Sequence, residues 1–343
     1  MKSKKLYFHF LLFTFYFLLS TCLYAGTNPA AFLNIGVGAR ALGMGGAFVS
    51  VADDATAGYW NPAGLSKLKT VSMGSMMQSL ANSEWNLQEI SPTYQFLSLV
   101  VPLNRIRILK KGGTFSVSWI NTTLDNIPHT YLDTSNHIVR NTFEDRENAY
   151  YLSYGQSLIS EELLVGGSLK YITQNFTQIK GASASGWDAE AGLIYSIGKK
   201  TDIGMVIQSG VYLKWANGRK DHGPLKAKTG ISHTFTVNEY ISVLVANDFQ
   251  QAQKEPLQDL LGAEINYNLN TTVLSSIKLR GGINGIDIEN RFGNIHQLND
   301  HIDWTSGLGL DIHVLRYSIQ LDYALCSYQL GLKHMFSVIL NFD

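Results

Sequence analysis

Beyond residue 70 the chain alternates. Phe336, Val338, Leu340 and Phe342 share one parity; Met335, Ser337, Ile339 and Asn341 share the other. Tyr317, Ile319, Leu321 and Tyr323 alternate with Ser318, Gln320, Asp322 and Ala324. Ala263, Ile265, Tyr267 and Leu269 alternate with Gly262, Glu264, Asn266 and Asn268. A period of two with one apolar and one polar face predicts β-strand. Fourteen such segments are expected, near 70–79, 89–101, 112–123, 147–157, 162–175, 184–197, 201–212, 225–236, 239–249, 258–269, 275–283, 303–313, 315–326 and 333–342. Most span ten to fourteen residues. Ordinary globular strands average about 5–6 residues, whereas a tilted membrane-spanning strand needs about 9–11.

The connections alternate as well. Links 196–202, 236–239, 269–273 and 313–316 are tight, and 158–162 is short. The links between them, 124–146, 175–185, 213–224, 250–257 and 284–301, are long. Short turns at one end, long loops at the other and an even strand count predict a fourteen-stranded antiparallel transmembrane β-barrel. In that geometry the apolar positions face lipid. The polar set, with Asp188, Glu190, Glu264, Lys278, Arg280, Asp311 and Asp322, faces the lumen. Glu264 is expected to pair with Lys278 or Arg280 on the adjacent strand. Trp85, Trp119, Tyr150, Tyr154, Trp187, Tyr195, Trp215, Tyr240, Tyr267 and Trp304 are candidates for interfacial girdles.

The first residues fit an exported chain. Lys2, Lys4 and Lys5 precede an apolar run from Leu6 to Leu19, and small residues follow to Gly26. This reads as a secretory signal peptide over 1–25. Cys326 would be the one thiol left, so no internal disulfide is expected. Lysine plus arginine and aspartate plus glutamate number 27 each, which gives no argument for nucleic acid. Charged residues make up 16% of the chain, below the ~25% of ordinary soluble domains.

Between the leader and the barrel at 70–343, residues 26–69 break the alternation. Gly36, Gly38, Gly43, Gly45 and Gly46 surround Arg40; Asp53, Asp54 and the turn Asn61-Pro62-Ala63-Gly64 follow. Glycines at this density mean that backbone lies close to something. A dinucleotide fingerprint needs a βαβ unit around it, and antiparallel strands follow instead. Asp53 or Asp54 is expected to cap a short helix over 55–59, and Pro62 to stop it. Inside a barrel, Arg40 would need a carboxylate, with Asp53, Asp54, Glu190 and Glu264 as candidates. The histidines lack zinc spacing, nothing resembles a nucleophile elbow, and no cofactor or metal is expected.

The stretch Asn34–Leu65, NIGVGARALGMGGAFVSVADDATAGYWNPAGL, resembles the PorV/PorQ family of outer-membrane proteins, which is similar to the FadL-type transporters. The resemblance implies a FadL-like barrel whose N-terminal segment acts as a plug or hatch in the lumen. It implies a non-enzymatic role in type IX-like protein export and surface attachment, with a secretion translocon or exported cargo as partner. The alternative is a FadL-like channel for a hydrophobic ligand. Outer-membrane lipid and the barrel-assembly machinery are the further partners expected. The machinery would read the terminal strand at Phe336, Val338, Leu340 and Phe342, although Asp343 follows the usual final aromatic.

Overall fold

The computed structural model describes residues 29–79, 92–103, 112–132, 135–158, 161–179, 181–253, 255–269, 271–287, 303–328 and 331–342. The expected leader over 1–25 and the girdle candidate Trp85 lie outside them. The strands are β1 (Val71–Ser79), β2 (Thr93–Pro102), β3 (Thr114–Leu132), β4 (Ile138–Ser157), β5 (Leu163–Phe176), β6 (Ser183–Ile197), β7 (Thr201–Gln208) and β8 (Tyr212–Trp215). They continue as β9 (Lys220–His222), β10 (Lys226–Thr236), β11 (Ile241–Ala252), β12 (Gln258–Asn268), β13 (Leu274–Asp287), β14 (Asp303–Val314), β15 (Tyr317–Tyr328) and β16 (Gly331–Phe342).

Fourteen of these form the wall. Each pairs antiparallel with its neighbours, and β1 closes the barrel on β16 from Val71↔Phe342 to Ser79↔His334. β8 and β9 form a small hairpin in the link between β7 and β10, with β8 paired to the outer end of β6. Closure leaves no sheet edge, the condition for a sheet to cross a bilayer. All fourteen wall strands overlap the segments expected from the alternation.

The parity also sorts as expected. Leu279 is 55% exposed on the outer surface, whereas its neighbour Arg280 is 6% exposed inside. Met77, Val117, Leu152, Trp187 and Phe336 project outward as well. In water such a surface would be an aggregation hazard; in a bilayer it is solvated. Exposed Trp187 and Trp304 lie toward the long-loop ends of their strands, while Tyr195, Tyr240 and Tyr267 lie at the short-turn ends. Trp215 departs from the girdle expectation. It sits on β8, stacks on Phe176 with ring centroids 6.0 Å apart and donates to Asp221 at 2.6 Å.

Two expected loops, 124–146 and 213–224, are partly strand. The link 124–146 is instead the outer half of a long ribbon, since β3 has 19 residues and β4 has 20. Pairing of β2 with β3 ends at Thr93↔Thr123, and pairing of β4 with β5 ends at Asp145↔Phe176. Beyond those points the two strands pair only with each other. The expected strand 201–212 ends at Gln208, where Gly210 at φ 88° breaks it before β8.

Candidate functional site

Residues 29–69 enter the barrel and cross it. The segment begins near the long-loop end, where Pro29 lies close to Gly223. It makes a 3-10 turn at Ala31–Asn34, one helical turn at Ala39–Gly43, another at Ala57–Trp60 and a 3-10 turn at Pro62–Lys67. It leaves at the short-turn end into β1. Val37, Met44, Phe48, Ala52 and Leu65 are buried in its core.

Hydrogen bonds attach it to walls on opposite sides. The Ala39 N–H donates to Ser337 Oγ on β16 at 3.1 Å, and the Gly45 N–H to Thr305 Oγ1 on β14 at 2.9 Å. The Val49 N–H donates to Asp248 Oδ2 on β11 at 2.7 Å. Across the lumen, Gly58 O accepts from Ser168 Oγ on β5 at 3.1 Å, and Asn61 Nδ2 donates to Leu193 O on β6 at 3.2 Å. Lys67 Nζ meets Asp202 Oδ2 at 2.9 Å near the exit.

One glycine shows why the segment is rich in them. Gly45 has φ 66°, and a Cβ there would lie 2.8 Å from the carbonyl oxygens of both Leu261 and Ile283. Wall glycines Gly262 and Gly282 answer it, facing Met44 and Gly45. Backbone therefore packs on backbone, which a side chain on either surface would prevent.

Arg40 is 8% exposed. Its Nε and Nη2 bind Glu264 at 3.0 and 3.1 Å, while Nη1 meets Asp53 and, at 3.4 Å, Asp54. Its guanidinium also lies 5.3 Å from the centre of the Phe48 ring. Glu264 in turn accepts from Arg280 Nε at 2.6 Å, and Arg280 Nη1 reaches Asp322 at 2.7 Å. Six of the residues singled out from sequence thus form one chain of charge from segment to wall. Two fork contacts to one carboxylate fix orientation as well as charge. Asp54 Oδ1 also accepts the Thr56 N–H at 2.8 Å and so closes the turn before the helix.

The remaining expectations divide. Lys278 pairs with Asp311 at 2.7 Å rather than with Glu264. Glu190 does not reach Arg40; it and Asp188 converge on Lys170 at 2.8 and 3.1 Å. Pro62 ends the helical turn but also starts the next one, with Asn61 Oδ1 accepting the Ala63 N–H at 3.1 Å. Lys170, Asp248, Lys226 and Lys228 were missed by the sequence reading. Lys170 carries the inward parity of Ser168, so its place was readable. Phe336 and Val338 face outward on β16 beside the seam with β1. Among the described residues no group of three or more His, Cys, Asp or Glu could hold a metal.

A cavity of about 280 Å³ remains between the segment and the wall at the long-loop end. Ile35, Leu42, Tyr59 and Trp60 of the segment line one side, and Lys226, Lys228, Gln250 and Leu260 the other. A more open hollow of about 420 Å³ on the short-turn side is lined by Arg40, Asp53, Lys67, Lys278 and His313.

No family model and no curated protein matches the sequence. Solved structures do match the architecture. The Pseudomonas putida toluene transporter TodX superposes with TM-score 0.52 at 12% identity, over 90% of this chain and 97% of that one. A Pseudomonas aeruginosa FadL homologue gives 0.51 at 11% identity, over 94% and 99%. The fold is that of the FadL-like outer-membrane barrels. The CymD monoaromatic hydrocarbon channel is similar too, with TM-score 0.51 at 13% identity over 92% of this chain and 98% of its own. The barrel fold is that of proteins of the bacterial outer membrane; among these neighbours TodX is a transporter and CymD a channel.

Proposed function

We propose that this FadL-like barrel is an outer-membrane channel for hydrophobic small molecules, with residues 29–69 as the plug that its cargo passes. The observation that carries the reading is the cavity beside Tyr59 and Trp60. It lies at the long-loop end of the barrel, beside a segment held to the wall by polar contacts and by an apolar core shared with Tyr94, Phe96 and Tyr151. Small-molecule sites are concave and rimmed by a few placed polar groups, and this cavity has both features. Toluene as the cargo of the similar transporter TodX, and monoaromatic hydrocarbons as that of the similar channel CymD, support it. Expression in a Gram-negative host should raise the entry rate of radiolabelled toluene several-fold over cells with an empty vector. Entry at the vector rate would overturn the reading.

A second reading rests on the Asn34–Leu65 signature and on the charged inner wall. It makes the chain a PorV/PorQ-type component of protein export. Under it, a translocon or sorting-domain cargo would co-purify from outer membranes, and toluene entry would not change.

A further inference from the structure

We infer that the cavity at the long-loop end takes a compact hydrophobic anion, a carboxylate carried on an apolar body of about one ring. The inference rests on the channel reading above and names the class of cargo. Its starting point is a mismatch of charge. Three other inward cations of the wall have carboxylates: Lys170 has Asp188 and Glu190, Lys278 has Asp311, and Arg280 has Glu264 and Asp322. The two lysines of the cavity differ.

Lys228 makes no ion pair and no hydrogen bond among the described residues. Its ammonium lies 5.6 Å from the centre of the Trp60 ring, an attraction that parks a cation without neutralising it. Lys226 gives one hydrogen bond, to Asn34 Oδ1 at 2.6 Å, and retains two N–H groups. Among the described residues the nearby acids form no ion pair with either lysine, although Asp248 Oδ1 and Glu190 Oε1 are themselves buried without a hydrogen-bond partner. Asp248 is diagonal to Lys228 in the β10–β11 register and accepts the Val49 N–H through Oδ2. Glu190 holds Lys170 and Gln208. Glu255 lines the same cavity, but at its exposed rim. A half-buried ammonium without an anion is costly, and a carboxylate entering beside Trp60 would offset that cost.

The other lining surfaces set the rest of the ligand. Ile35, Leu42, Trp60 and Leu260 call for an apolar body. The volume of about 280 Å³ lies at the small end for ligand pockets, which run roughly 300–1,000 Å³. That favours one ring over a long chain. An uncharged hydrocarbon would fill the space and leave both lysines as they are.

The test is equilibrium dialysis of the purified full-length barrel in detergent, against micelles without protein, using radiolabelled benzoate and radiolabelled toluene. Wild type should bind benzoate more tightly than toluene. Lys228→Met keeps the apolar stem and removes the charge. It should weaken benzoate about tenfold or more, the scale of one charge-assisted hydrogen bond, while toluene binds as tightly or more tightly because the lining becomes more apolar. Lys226→Met should weaken benzoate in the same direction. Retained heat-modifiable mobility on gels establishes that each variant is folded. Toluene binding without benzoate binding, or benzoate binding indifferent to Lys228→Met, would overturn the inference and leave the channel reading standing. Binding of neither probe would count against the channel reading itself.

Discussion

Arg40 directs its side-chain donors at three carboxylates, one on the wall and two on its own segment. Removing one partner of a buried ion pair costs about 3–5 kcal/mol because the other charge stays behind. Arg40→Ala should therefore destabilise the barrel by about that amount, read as a lower urea midpoint of the heat-modifiable form in detergent. An unchanged midpoint would show that the pairing does not anchor the segment. Lys170→Met should cost about as much by the same logic, since Asp188 and Glu190 both lose their cation. Adding Asp188→Asn and Glu190→Gln should recover most of the loss; a triple variant no better than the single one would count against charge as the cause. Gly45→Val would drive a branched side chain into the carbonyls of Leu261 and Ile283. The wall should still close, while limited proteolysis should cut within 29–69 where wild type resists; equal resistance would contradict the close packing. Arg40 was readable as an anchor because few residues near it in sequence can balance it. Lys228 was not, because its meaning depends on which acids the fold leaves out of reach.

The wall strands were legible and the protruding ribbon was not, for one physical reason. Lipid on one side and lumen on the other impose a period of two over the length of a bilayer crossing. Beyond Thr123 and Arg146 lipid and lumen no longer sort the two faces; Ile127, His129 and Tyr131 keep a short alternation, but the polar run from Arg140 to Thr142 hides the pairing that continues. The ribbon adds little to barrel closure, because β2 has already parted from it and, past the end of β5, Glu144 bonds Thr177 at its base. Replacing 126–144 by a short turn should leave heat-modifiable mobility and thermal midpoint within a few degrees of wild type; loss of the folded band would contradict that separation. The helical turns at Ala39–Gly43 and Ala57–Trp60 are one turn each, too short for a 3.6-residue period to show. Their positions come from wall contacts such as Ala39 to Ser337, and no local signal encodes those.

At the scale of the molecule, two structures occupy one cylinder. The outer one is built from alternation, and a bilayer dictates it. The inner one is built from glycine, buried charge and hydrogen bonds that reach β5, β6, β11, β14 and β16. The channel reading places cargo between them, at the cavity that Tyr59 and Trp60 share with β10 and β11. Crystals of the purified barrel soaked with bromobenzene, and measured at the bromine edge, test that placement directly. The account predicts an anomalous peak between Leu42, Trp60 and Leu260. Bromine only on the lipid-facing surface, with none in the cavity, would contradict it.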